Sequence, residues 1–122
     1  MFLISTYTDG APPESSAWFC QWLSDAVADF RVQKSMLTGL HYTVFGLGNS
    51  AYGEHYNMAG RRLFEWLGKL SATAVYPLVL GDQNVAQSTH GGGYKTLSRM
   101  CAFCEFYKDR QVTKNVKIYN KM

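Results

Sequence analysis

Along the chain, apolar and polar positions alternate between two rhythms. Phe2-Leu3-Ile4-Ser5 is a short apolar run ending in turn chemistry, which predicts a buried strand leading into the loop Tyr7-Thr8-Asp9-Gly10. Pro12 and Pro13 then mark a helix start, and Phe19, Leu23, Ala26 and Phe30 recur at helical spacing across Glu14 to Phe30. Glu14 in the first turn, with Ser15 and Ser16 beside it, suits a helix N-terminus. Trp18, Trp22 and Val27 widen the apolar face, so this helix is expected to be largely covered, with its tryptophans in the core. Tyr42-Thr43-Val44-Phe45 has the β-branched and aromatic makeup of a second strand, closed by Gly46 and Gly48.

After a loop of small residues, Ala59, Leu63, Trp66, Leu67 and Leu70 predict an amphipathic helix over Asn57 to Leu70, its other side carrying Arg61, Arg62, Glu65 and Lys69. Trp66, like the other two tryptophans, reads as core. Ala74 to Leu80 is a third strand, and Pro77 within it lacks the N–H a ladder needs, which places it at a sheet edge. Beyond Gly91-Gly92-Gly93 a last helix is expected from Tyr94 to Lys108, and residues 109–122 form a basic tail without predicted structure. Strands alternating with helices favour right-handed crossovers and a parallel sheet, hence an α/β fold. Ligands of such sheets bind at the carboxyl ends of the strands. Those ends are the loops Thr6 to Gly10, Gly46 to Asn57 and Gly81 to Asn84.

Size and composition narrow the field without naming a function. The 122 residues, 47% of them hydrophobic, make one domain with a single core. No apolar run approaches the ~20 residues that span a bilayer, and the N-terminus lacks the build of a signal peptide. A cytoplasmic protein with no membrane partner is expected. Three cysteines, Cys20, Cys101 and Cys104, fit free thiols in a reducing compartment. A formal charge of +3 is too small and too scattered to identify a partner.

The chemistry suggested by the strand-end loops is the holding of a flat ring. Such a ligand needs aromatic side chains to stack on and main-chain groups for its polar edge. Tyr7 and Tyr52 supply the first; Gly10, Gly46 and Gly48 allow close main-chain approach, and Asp9 and Asn49 tolerate turn conformations. Either tyrosine alone reads more simply as a loop aromatic, and Gly46-x-Gly48 alone says little. Cys101 and Cys104 fall on the apolar face of a predicted helix with no second ligand pair, so core thiols are favoured over a metal site. His41, His55 and His90 have no acidic or thiol partners close in sequence and are assigned structural or surface roles.

Ser5-Thr6-Tyr7-Thr8-Asp9-Gly10 with Pro12-Pro13 resembles the first ring-side loop of the FMN domains of diflavin reductases. Val44-Phe45-Gly46-Leu47-Gly48-Asn49-Ser50-Ala51-Tyr52, with His55 and Asn57 following, is similar to the flavin loop of that superfamily, and Leu80-Gly81-Asp82 to its acidic element. Trp18-Phe19-Cys20 and Asp29-Phe30-Arg31 look most like the flavodoxin half of tRNA wybutosine-synthesizing enzymes. The likeness spans residues 2–92. It implies a flavodoxin-like three-layer sandwich, truncated at the N-terminus to about three strands with flanking helices, over a partial domain of residues 1–108. FMN is the implied cofactor, with Thr6, Tyr7, Thr8, Asp9, Gly10, Gly46, Leu47, Gly48, Asn49, Ser50, Tyr52, His55, Asn57 and Asp82 as its implied contacts. The two tyrosines would flank the ring and Asp82 would lie near its pyrimidine side. The implied partner is a radical-SAM iron–sulfur domain, normally in the same polypeptide, with tRNA engaged only indirectly. The chain departs from the family pattern in having no phosphate-holding loop before Phe2 and no three-cysteine cluster motif. The alternatives are a non-catalytic interaction fragment, self-associating through an open sheet edge, and the FMN domain of a cytochrome-reductase-type diflavin enzyme.

Overall fold

A computed structural model of the chain describes residues 1–84, together with Ala102 and Glu105. The elements are β1 (Phe2–Ser5), α1 (Glu14–Ala28), β2 (His41–Tyr42), β3 (Val44–Gly48), a 3₁₀ segment (Ser50–His55), α2 (Met58–Lys69), β4 (Thr73–Ala74) and β5 (Val79–Asp82). All ladders are parallel: β1-β3-β5 form one sheet and β2-β4 a short second one. The α/β architecture with a parallel sheet expected from the sequence is present. The expected helix over 94–108 lies outside the described residues apart from Ala102 and Glu105, which are helical. The basic tail over 109–122 lies outside them too.

The strands follow the pleat. Ile4, Val44 and Gly46 face the helices, and the intervening Leu3 and Leu47 point to the opposite side, where both are exposed. Against the helix side pack Leu23 and Ala26 of α1 and Ala59, Leu63 and Leu67 of α2, with Tyr42 and Leu70 closing the far end. Two glycines set the spacing: a Cβ on Gly60 would lie 3.1 Å from Cα of Gly46, so helix α2 rests almost backbone to backbone on the central strand β3.

The second predicted strand is split at Thr43, and the third is split around Pro77. Between the pairs Tyr42↔Ala74 and Phe45↔Val79, one strand has residues 43–44 and the other 75–78, a bulge two residues deep that takes up the proline. Pro77 is exposed there, and no strand flanks β5 on its outer side among the described residues, in keeping with the predicted edge. Helix α1 stops at Ala28, two residues short of the expected Phe30. Asp29 turns the chain by accepting from the Arg31 backbone N–H (2.9 Å) and guanidinium, while Lys34 Nζ donates to the carbonyls of Ala26, Val27 and Asp29 and so closes the helix C-terminus. The Arg31 hydrogen bonds hold the Asp29 carboxyl below its usual range.

The largest departure from expectation lies on α1. Trp18 is 77% exposed and Trp22 41%, and Phe30, just past the helix end, is 92% exposed; of the three tryptophans only Trp66 packs against the core as predicted. The reason is position. Helix α1 lies beside β1, an edge strand among the described residues, so its outer flank meets no neighbouring element there. Phe2, Phe19 and Trp22 form a stacked row along that flank, with ring centroids 5.9 and 6.3 Å apart.

Candidate functional site at the strand ends

Because the ladders are parallel, β1, β3 and β5 release their loops at one end of the sheet. The first loop is a tight turn: the Gly10 N–H donates to the Tyr7 carbonyl (2.9 Å), and the Tyr7 N–H donates to that of Ala11 (2.9 Å). Asp9 Oδ1 accepts from the Ala11 N–H at 2.9 Å, so this acid is spent on shaping its own loop. Gly10 needs its missing side chain twice over. Its φ is +83°, and a Cβ would meet Met58 Sδ at 2.7 Å and His55 Nδ1 at 3.1 Å. Gly10 is therefore the point where the first loop touches the second.

The second loop is built of short 3₁₀ turns that meet at a kink at Gly53, where φ is 59°, and is capped by Asn49, whose Oδ1 accepts from the Ala51 N–H at 2.9 Å. The Tyr52 N–H donates to the Asn49 carbonyl at 3.0 Å, which holds Tyr52 half-buried near the strand end. Asp82 ties this loop to the third. Its Oδ1 accepts from the backbone N–H of Ser50 (2.9 Å) and of Asn84 (3.0 Å), and Asn84 Nδ2 donates to Ser50 Oγ (3.1 Å).

Thr6 links the first loop to α2, its Oγ1 accepting from the Ala59 N–H at 3.2 Å. Asn57 occupies the αL region at the start of α2 and donates from Nδ2 to the Gly81 carbonyl at 2.9 Å, a carbonyl also reached by the Tyr56 hydroxyl at 3.3 Å. Three buried side-chain polar atoms lack a partner among the described residues, and two of them, His55 Nδ1 and Asn57 Oδ1, sit in this one cluster. Unsatisfied buried groups concentrate where a fold serves something besides stability.

Of the residues singled out from sequence, Thr6, Gly10, Gly46, Gly48, Asn49, Ser50, His55, Asn57 and Asp82 thus share one contact network at the sheet's carboxyl end. Tyr7, Thr8 and Asp9 are exposed on the first loop, Tyr7 to 54%. Four positions sit differently from the expected arrangement. Asn57 is 0% exposed and lies inside the protein, not on a binding surface. Gly46 and Gly48 make room for it: a Cβ on either would come within 2.7 or 2.9 Å of its Oδ1, so on their helix side these glycines serve the amide. Leu47 alternates with them and directs its side chain to the other face, leaving its carbonyl, which accepts from the Thr6 N–H at 3.0 Å, as its tie to the cluster. Sequence reasoning missed Tyr56, Met58 and Asn84. Asn84 had a readable signal, since an amide two residues past a strand-end aspartate is a common turn partner.

With this geometry in view, a family model described as flavodoxin matches residues 1–96. The chain belongs to the flavodoxin family. Membership implies a flavin cofactor. Over 91 residues, 75% of the chain, it is 54% identical to the S-adenosyl-L-methionine-dependent tRNA 4-demethylwyosine synthase of Xenopus laevis and 50% identical to that of Homo sapiens. The rice enzyme is 40% identical over 82 residues, 67% of the chain. The matched stretch spans 12% of the length of the frog and human relatives. Among solved structures, a cysteine-to-alanine mutant of flavodoxin from Pseudomonas aeruginosa superposes with a TM-score of 0.61 at 24% identity, covering 87% of this chain and 62% of that one. A short-chain flavodoxin associated with a non-canonical PDU bacterial microcompartment gives 0.59 at 27% identity, covering 84% and 59%. No helix among the described residues is long and apolar enough to cross a membrane, and no three or more His, Cys, Asp or Glu side chains gather there as a metal site would need.

Proposed function

We propose that this chain is an FMN-binding electron-transfer module that supplies electrons to a radical-SAM iron–sulfur domain in the synthesis of 4-demethylwyosine on tRNA. One observation carries the reading: three strand-end loops, far apart in sequence, are braced into a single cluster that leaves an aromatic residue, Tyr7, exposed at its rim. The named relatives supply the reaction setting, and the tRNA is contacted through the partner domain.

The residues present suit a flat ring. Tyr7 and Tyr52 are its proposed flanks, and the main chain of Tyr7 to Gly10 and Gly46 to Ser50 its proposed polar contacts. Thr8 is proposed to act through its backbone, and His55 through its place between the first two loops. Asp82 holds Ser50 in place and brings negative charge to that side. A bound flavin supplies the electron transfer itself; the protein's part is to fix the ring's position and cover its faces from water. Because the acids and amides of these loops are already bound to backbone N–H groups, the loops need little reordering on binding.

Titrating the purified chain with FMN, while following flavin fluorescence and the visible spectrum, tests the reading. Quenching with a perturbed visible band is expected; unquenched fluorescence at high protein concentration would sink it. All the proposed holders serve the ring, so riboflavin, which lacks the phosphate, is expected to bind within about tenfold of FMN.

The place of β1 at the sheet edge among the described residues, together with the exposed Leu3, Trp18 and Trp22, favours a second reading in which the chain pairs with another protein surface, including a second copy of itself. Size-exclusion chromatography separates the two, since a strictly monomeric, flavin-loaded species is incompatible with self-association.

A further inference from the structure

We infer that Asn57 is the positioning residue of this site, locking the ends of β1, β3 and β5 to one another from inside the protein without touching the ligand. What the loops hold rests on the flavin reading above; the bracing itself does not.

Asn57 has φ 52° and ψ 26°, a left-handed conformation that asparagine tolerates and glycine adopts freely. Backbone geometry alone would thus be served as well by glycine. The side chain needs a separate reason, and its surroundings supply one. It is wholly buried, and its Nδ2 reaches across 24 positions to the carbonyl of Gly81 on β5. Its Oδ1 lies against β3, where Gly46 and Gly48, two apart and on the same face, leave it the space a Cβ would fill. Two residues on, the Ala59 N–H is held by Thr6 at the end of β1. The amide therefore joins β3 to β5, and the helix turn it opens is held to the end of β1 through the Ala59 N–H.

Stability does not account for it. A buried oxygen without a donor opposes folding, and the two strand glycines it requires weaken β3. An arrangement that costs stability at the carboxyl end of a parallel sheet is what a binding site demands and a plain core does not.

The test uses the 122-residue chain, comparing wild type with Asn57→Gly, which keeps the left-handed backbone and removes the amide. Backbone hydrogen exchange without any ligand is the first measurement. Exchange is expected to rise together at Tyr7 to Gly10, Ser50 to Tyr52 and Gly81 to Asp82, while the Leu63 and Leu67 amides stay protected. A rise confined to residues 56–59, or one spread uniformly through the core, would overturn the inference. The second measurement is FMN titration, where the variant is expected to bind about tenfold or more weakly, with an altered visible band. Equal affinity and band shape would likewise overturn it. If wild type itself binds no FMN, the flavin reading fails while the exchange experiment still decides the role of Asn57. Should Asn57→Gly not fold, Asn57→Asp carries the same comparison, since it keeps the shape and turns the donor facing the Gly81 carbonyl into an acceptor.

Discussion

Helices α1 and α2 cover the same face of one sheet, yet they differ in how much of their apolar surface is used. Helix α2 crosses the central strand and buries Ala59, Gly60, Leu63 and Leu67 in a single stripe, with charged residues confined to the other side. Helix α1 buries Cys20, Leu23 and Ala26 and leaves Trp18 in the open. The lesson is that an apolar residue's fate depends on which strand its helix lies over. The same wide stripe that would vanish beneath a central helix becomes a surface when the helix flanks an edge.

Replacing Leu23 or Leu63 by alanine attacks what the two helices share. Both are essentially fully buried, so each change is expected to cost about 2–5 kcal/mol in chemical denaturation. A markedly cheaper loss at Leu23 would show that α1 is not part of the same core. Gly60→Val probes what α2 alone possesses. Its first added carbon would already press on Gly46, and a cost of about 1–3 kcal/mol is expected from overpacking, read as a lowered thermal midpoint.

The thiol of Cys20 belongs to α1, and burial pushes its pKa up. A group whose folded pKa exceeds its unfolded value supports the fold below that unfolded value, about 8.5 for a thiol, and withdraws support as pH rises through the folded one. Stability should therefore fall on the alkaline side, and the decline should be shallower in Cys20→Ala than in wild type when denaturation is repeated across pH. The smallest effect is expected at Trp18→Ala, within about 0.5 kcal/mol, because the side chain has little burial to lose. A large loss there would mean that its flank is covered in solution.

Much of this was legible in advance, for reasons that differ by element. The first strand and α2 could be read because their patterns are set by local burial: Phe2 to Ser5 was placed as found, and α2 fills Met58–Lys69 with Asn57 and Leu70 as its caps. The alternation of elements gave the parallel sheet, and with it the end where the loops gather. The tryptophans of α1 were misplaced because composition reports that a residue is apolar, not whether a neighbouring element exists to cover it. Within the site, Asp82 and Asn49 could be nominated by type and position. The inward role of Gly46, Gly48 and Asn57 could not, since it depends on a side chain crossing from the start of α2 beneath a strand about ten residues earlier.

The bulge that takes up Pro77 divides the sheet into two stretches of unequal importance. The pair β2–β4, only two residues long, lies beyond it and away from the strand ends that carry the loops. Fraying of so short a pair is expected to stop at the interruption around Pro77, short of Val79 and the acceptor carbonyl of Gly81. A reporter dye or a short peptide inserted near the exposed Thr73 and Ala74 is therefore expected to leave the loops at the opposite rim undisturbed.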